Sequence, residues 1–211
     1  GDQVGELEEP RFVDEPLAAR VARAPEILGI KARMDRVGAQ PATVPLASAI
    51  RVAEQVGKPV MAHIGSASRM HVSLDRVLAL LRPGDIVTHT YHGKDGGLLD
   101  DAGRVRGSAW EARERGIRFD VGHGAGSFAF RVARTALDEG FTPDTISSDL
   151  HTYSLPSPVG DLVTTINKFL LLGMSVGNAI RRSTEAPAAI IGQAHRLGHL
   201  ARGADADVTL L

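Results

Sequence analysis

The stretch from Lys58 to Gly93 restricts the fold more than any other part of the chain. It opens KPVMAHIG and closes DIVTHTYHG, each with a short apolar run (Pro59–Ala62 and Ile86–Thr88) that ends on a histidine, His63 and His89. Between them SLDRVLALLRPG carries Leu74, Val77, Leu78 and Leu81 at helical spacing, with Ser73 placed to cap the first turn. Strand, helix and strand at this separation predict two parallel, adjacent strands joined by a crossover helix. Both histidines then leave the same C-terminal sheet edge, where α/β folds bind ligands. Two imidazoles on neighbouring strand ends make half of a metal site.

The same alternation continues on both sides. A helix is expected from Val13 to Arg23, a strand from Glu26 to Lys31, and a helix through Leu46, Ala49, Ile50, Ala53 and Val56 that stops at Gly57. Beyond His89 come a glycine-rich loop, a helix through Trp110, a strand over Ile117–Val121, a helix from Ser127 to Asp138 and a strand over Thr145–Asp149. Residues 162–191 are expected to be helical, and GHLARGADADVTLL to form a turn and one last strand. Strand-end polar residues recur at steps of 32 (Lys31 to His63), 26 (to His89), 34 (to His123) and 26 (to Asp149). One βα unit per roughly 30 residues suits a parallel sheet or barrel. The expected fold is therefore α/β, five βα units of an eight-stranded (β/α)8 TIM barrel. Residues 1–196 form the partial barrel, and 197–211 begin a small C-terminal β-domain.

Composition narrows the chemistry. The 211 residues include no cysteine, so disulfides, thiolate ligands and a cysteine nucleophile are ruled out. A formal net charge of −1 gives no reason to expect nucleic acid or an anionic membrane as a partner. No apolar run is long enough to span a bilayer, and the acidic start GDQVGELEEP lacks the basic and apolar regions of a signal peptide, which together suggest a cytoplasmic protein. Gly1 in place of an initiator Met suggests a piece of a longer product.

Four strand ends thus present Lys31, His63, His89 and Asp149 to one face. Histidine nitrogens and a carboxylate suit Zn²⁺, Mn²⁺ or Fe²⁺. An ammonium would repel the metal, but burial lowers a lysine's pKa, and an unprotonated amine can add CO₂ to become an oxygen-donating carbamate.

GIKAR with Lys31, VMAHIG with His63, DIVTHTYHG with His89, FDVGHGAGSF with His123 and TISSDLHT with Asp149 together resemble the amidohydrolase superfamily, nearest its deacetylase-like branch beside dihydroorotase-like and D-aminoacylase-like members. The closing GADADVTLL is similar to that superfamily's return to its small β-domain. The resemblance covers residues 25–211. It implies two divalent metal ions, most simply Zn²⁺, bridged by carboxylated Lys31. One is also held by His63 and His89, the other by Asp149 and a His-x-His pair on the first strand. It further implies that a bridging hydroxide attacks an amide or ester carbonyl and that Asp149 is the catalytic proton shuttle. No His-x-His occurs here, so the second site is incomplete, and the strand carrying it is expected upstream of residue 1.

His123, Tyr91, His92 and Arg33 lie just past strand ends and are candidates to contact a small acylated, anionic substrate; loop packing is the plainer role for each. A strand-end histidine is often only a hydrogen-bonded structural residue, and Asp149 could merely cap the next turn of the chain. GHGAGS fails as a dinucleotide motif because Ser127 replaces its third glycine, although its glycines and the neighbouring helix could hold a carboxylate. The expected activity is removal of an acyl group from a small acylated acid. A cyclic-amide hydrolase, or a non-catalytic binding or assembly subunit, is the alternative, and homo-oligomerisation is left open.

Overall fold

The computed structural model describes residues 13–33 and 43–210. Its centre is a parallel sheet in the order β1 (Ile30–Arg33), β2 (Val60–His63), β3 (Ile86–Thr88), β4 (Arg118–Phe119). The register aligns Arg33 with His63 and His63 with Thr88, so these side chains share one face. On the other face Ala32, Ala62, Val87 and Phe119 are buried under the helices. Those helices are α1 (Glu15–Ala22), α2 (Thr43–Val56), α3 (Ala67–Met70), α4 (Leu74–Leu80), α5 (Gly107–Glu114) and α6 (Phe130–Asp138), followed by α7 (Leu162–Leu171), α8 (Val176–Ser183) and α9 (Glu185–Ile190).

The central unit forms as its pattern dictates. Leu74, Val77, Leu78 and Leu81 are all buried, and the Ser73 hydroxyl accepts from the Arg76 amide at 3.3 Å. Small residues, Ala49, Ala53, Ala109, Ala112, Ala133 and Ala136, let the helices lie close on the sheet. Among the described residues no helix is long and apolar enough to cross a membrane.

The strand expected over Glu26–Lys31 starts at Ile30 and runs two residues past Lys31, that over Ile117–Val121 shortens to Arg118–Phe119, and two more expected strands do not form. Thr145–Asp149 forms only isolated parallel bridges, Asp120 to Thr145 and His123 to Ser148. The ladder is interrupted at Gly122, whose φ of 51° leaves the strand conformation and whose amide goes to the Ser147 hydroxyl at 3.1 Å. Residues 204–210 form no strand among the described residues.

At the opposite edge of the sheet, Asp85 is buried and joins two strands. It accepts the Val60 amide at 2.8 Å, the Arg82 amide at 2.8 Å and the Arg82 guanidinium at 2.9 and 3.1 Å. Asp85→Ala would strand a buried amide and leave the guanidinium without its nearest carboxylate. The expected loss is about 3 kcal/mol in urea unfolding, and a loss under about 1 kcal/mol would contradict this role.

Candidate functional site

His63 and His89 meet as the two strand ends predict. His63 Nδ1 lies 3.0 Å from His89 Nε2, with the rings edge to face at 4.2 Å between centroids. His89 is buried and leaves β3 in the left-handed region at φ 70°. A non-glycine residue there is strained and needs its surroundings to hold it. The hold is a hydrogen bond from His89 Nδ1 to the Gly122 carbonyl at 2.6 Å. With Nδ1 carrying the proton, the Nε2 lone pair is turned toward His63.

That is the arrangement of a metal-binding histidine, whose second nitrogen donates to a backbone carbonyl. Two nitrogens bonded to one Zn²⁺ at a tetrahedral angle stand about 3.3 Å apart, close to the separation seen. Burial lowers the His89 pKa, which keeps the ring neutral and able to ligate.

The other two predicted ligands act on this pair from a distance. Asp149 favours the charged form of His89 and Lys31 opposes it, so both lie within electrostatic range. Lys31 is exposed on β1, paired with Met61 and on the sheet face that carries His63. The Asp149 carboxylate sits against Gly124, where a Cβ would lie 2.8 Å from its Oδ2. Among the described residues no three His, Asp or Glu side chains group around a common metal position. The structure therefore joins two of the four predicted ligands directly.

The substrate candidates separate. Arg33 stands beside His63 in the ladder, on the same face. Tyr91 does not reach the site. It is fully buried and its hydroxyl donates to the Phe141 carbonyl at 3.0 Å, because the chain turns inward after His89. His92 is buried too, with Nδ1 accepting from the Lys94 amide at 3.2 Å and Nε2 lacking a partner among the described residues. Both are core residues. His123 has both nitrogens engaged, Nδ1 on the Gly124 carbonyl at 2.9 Å and Nε2 on the Lys168 ammonium at 2.6 Å. Three of the six GHGAGS amides are already engaged. The Gly122 amide donates to the Ser147 hydroxyl, the His123 amide to the Ser147 carbonyl and the Gly124 amide to the Ser127 hydroxyl, at 3.1, 3.0 and 2.6 Å. Ser127, which spoils the dinucleotide motif, closes this loop by donating to the Gly122 carbonyl at 2.8 Å.

Sequence reasoning missed Asp120 and Lys168. Asp120 is buried and accepts three hydroxyls, those of Thr88 at 2.6 Å, Thr145 at 2.5 Å and Ser147 at 2.8 Å. An aspartate between Phe119 and Val121 in the expected strand was the available signal. Lys168, from α7, carried none.

No protein-family model matches the chain. It is 40% identical over 188 residues to a curated protein named deacetylase from Enterococcus faecalis, covering 87% of this chain and 50% of that one. A second protein named deacetylase, from Brucella anthropi, is 37% identical over 181 residues, covering 85% and 44%. Among solved structures, one titled as an adenine deaminase aligns with a TM-score of 0.88 at 38% identity, over 95% of this chain and 55% of that one. One titled as a dihydroorotase aligns at 0.79 and 34% identity, over 90% and 50%. The chain spans about half the length of the curated relatives it matches. These solved neighbours are TIM barrels, and the expected α/β barrel class is borne out.

The geometry makes two stability predictions. Gly122 has φ 51°, and a Cβ on it would lie 2.1 Å from Thr88 Oγ1 and 2.8 Å from His89 Nδ1. Gly122→Ala is expected to cost at least about 2 kcal/mol in urea unfolding, and wild-type stability would contradict this. Burial pushes the His92 pKa down to about 4, and His89 and His123 shift the same way. For a lowered histidine pKa the folded state binds fewer protons. Its stability is then full above the ordinary value near 6.5 and falls as pH drops toward about 4, by up to about 1.4 kcal/mol per unit for each such group. His92→Asn, whose amide oxygen can still accept from Lys94, should make that decline shallower; an unchanged slope would contradict it.

Proposed function

Because this chain belongs to the amidohydrolase superfamily, we propose that the complete protein is a metal-dependent hydrolase that removes an acyl group from a small acylated acid. The observation that carries this reading is the His63–His89 pair at 3.0 Å, with His89 Nδ1 committed to a backbone carbonyl. The deacetylase names of relatives at 40% and 37% identity support acyl removal over the other reactions of the superfamily.

His63 and His89 would hold one divalent ion, with Lys31, as a carbamate, supplying oxygen from the same sheet face. Asp149 and residues of the remaining half of the barrel would hold a second. Such an ion lowers the pKa of a water and polarises a carbonyl. The work of this chain's own residues is then distinct. His89 stays neutral through burial, and its bond to the Gly122 carbonyl fixes the tautomer that turns Nε2 toward His63. Asp149, whose amide is fixed on the His123 carbonyl at 2.9 Å, accepts a proton at its carboxylate and returns it to the leaving group. Arg33, beside His63, faces the entering substrate with positive charge. The dihydroorotase title of one solved neighbour supports a second reading, hydrolysis of a cyclic amide.

The test uses the full-length protein against N-acyl amino acids, O-acyl hydroxy acids and cyclic amides, before and after chelation. Hydrolysis of the acylated acids that is lost on chelation and restored by Zn²⁺ is expected. Exclusive turnover of cyclic amides would favour the second reading, and chelator-resistant activity would contradict both. Asp149→Asn should keep metal content while lowering kcat by about 10²–10⁴-fold, the range of general acid–base catalysis. Undiminished turnover would remove Asp149 from that role.

A further inference from the structure

Resting on the acylated-acid reading above, we propose that Lys168 is the anchor for the substrate's carboxylate, with His123 and Phe128 as the neutral wall that aims it. The Lys168 ammonium bonds to His123 Nε2 at 2.6 Å and to the Pro158 carbonyl at 2.6 Å. Both are neutral, and among the described residues no carboxylate forms an ion pair with it. A partly buried cation is normally balanced by an anion, because desolvating a charge without one is costly. Burial accordingly lowers the Lys168 pKa.

The geometry explains why the charge is placed here. His123 donates from Nδ1 to Gly124, so its Nε2 is a lone pair that receives the lysine. Phe128 stacks on the His123 ring at 4.7 Å and 21°, and its centroid lies 5.9 Å from the ammonium. These two rings fix the end of a long, flexible side chain. The anchor is also close to the chemistry. The His123 carbonyl holds the Asp149 amide at 2.9 Å, and the preceding residue, Gly122, holds His89 at 2.6 Å. An ammonium has three donors, and two are used here. The third is available to a carboxylate, whose charge-assisted hydrogen bond is about twice as strong as a neutral one. The substrate contact expected of His123 thus passes to Lys168, and His123 becomes its positioning residue.

The experiment is calorimetric titration of full-length protein with N-acetylglycine and with N-acetylglycinamide, which differ in the carboxylate alone. Wild type is expected to bind the acid about tenfold or more tightly than the amide, a margin of the size charge-assisted hydrogen bonds supply. Lys168→Met should remove that preference, weakening the acid about tenfold and the amide less than about twofold, while Lys168→Arg keeps it. Lys168→Gln serves where the methionine variant does not fold. Equal binding of acid and amide by wild type, equal weakening of both, or a preference that survives in Lys168→Met and Lys168→Gln would overturn the assignment. Hydrolysis is scored separately, so a protein that prefers the acid but hydrolyses none of the acylated acids refutes the catalytic reading and leaves the anchor standing.

Discussion

One hydrogen bond, from His89 Nδ1 to the Gly122 carbonyl, is what the rest of the site depends on. It does three things together. It holds a non-glycine residue in a left-handed conformation, fixes which imidazole nitrogen carries the proton, and turns the other nitrogen toward His63. It is possible only because residue 122 lacks a Cβ, whose place is filled by Thr88 Oγ1 and the His89 ring. The Gly122 carbonyl also accepts from Ser127, so one backbone atom ties the imidazole to the loop that closes behind it.

Below that contact side chains add to the sheet's support. The β3–β4 ladder ends at Phe119, and beyond it the Thr90 amide still donates to the Asp120 carbonyl at 3.2 Å. Side chains reinforce this connection. Asp120 gathers hydroxyls from Thr88, Thr145 and Ser147, and Ser147 in turn accepts the Gly122 amide. A buried carboxylate with three donors is well satisfied, and networks of this kind rigidify the elements they join. Backbone bonds also hold the segment 145–149 alongside β4, the Val121 amide on the Thr145 carbonyl at 3.1 Å and the Asp149 amide on the His123 carbonyl at 2.9 Å, although only isolated bridges form. The two peptide groups that matter most, those bearing the Gly122 and His123 carbonyls, sit between Asp120 below and the histidine pair and Asp149 above.

The parts of this arrangement that were legible in the sequence are the local ones. The crossover helix and its flanking strands arise from the spacing of Leu74, Val77, Leu78 and Leu81 and from two apolar runs, and the pairing of His63 with His89 arises from those in turn. What was not legible depends on contacts between distant elements. Lys168 reaches His123 from α7, and nothing near either residue announces it. Tyr91 and His92 come just after a strand end, where exposure is the usual expectation, yet the turn after His89 drives both into the core. His123 ends a strand, which suggests an available side chain, but its two nitrogens are engaged by groups that spacing alone does not bring near. The final apolar residues have a strand's pattern, yet residues 204–210 pair with no strand among the described residues.

The claim that His63 and His89 form a metal-binding pair oriented by Gly122 is tested most directly by anomalous diffraction from Zn²⁺-loaded crystals of the full-length protein. A zinc peak about 2.0–2.1 Å from both His63 Nδ1 and His89 Nε2 is expected, with His89 Nδ1 still on the Gly122 carbonyl. Zinc bound elsewhere, or a His89 ring that has turned away from Gly122, would contradict it.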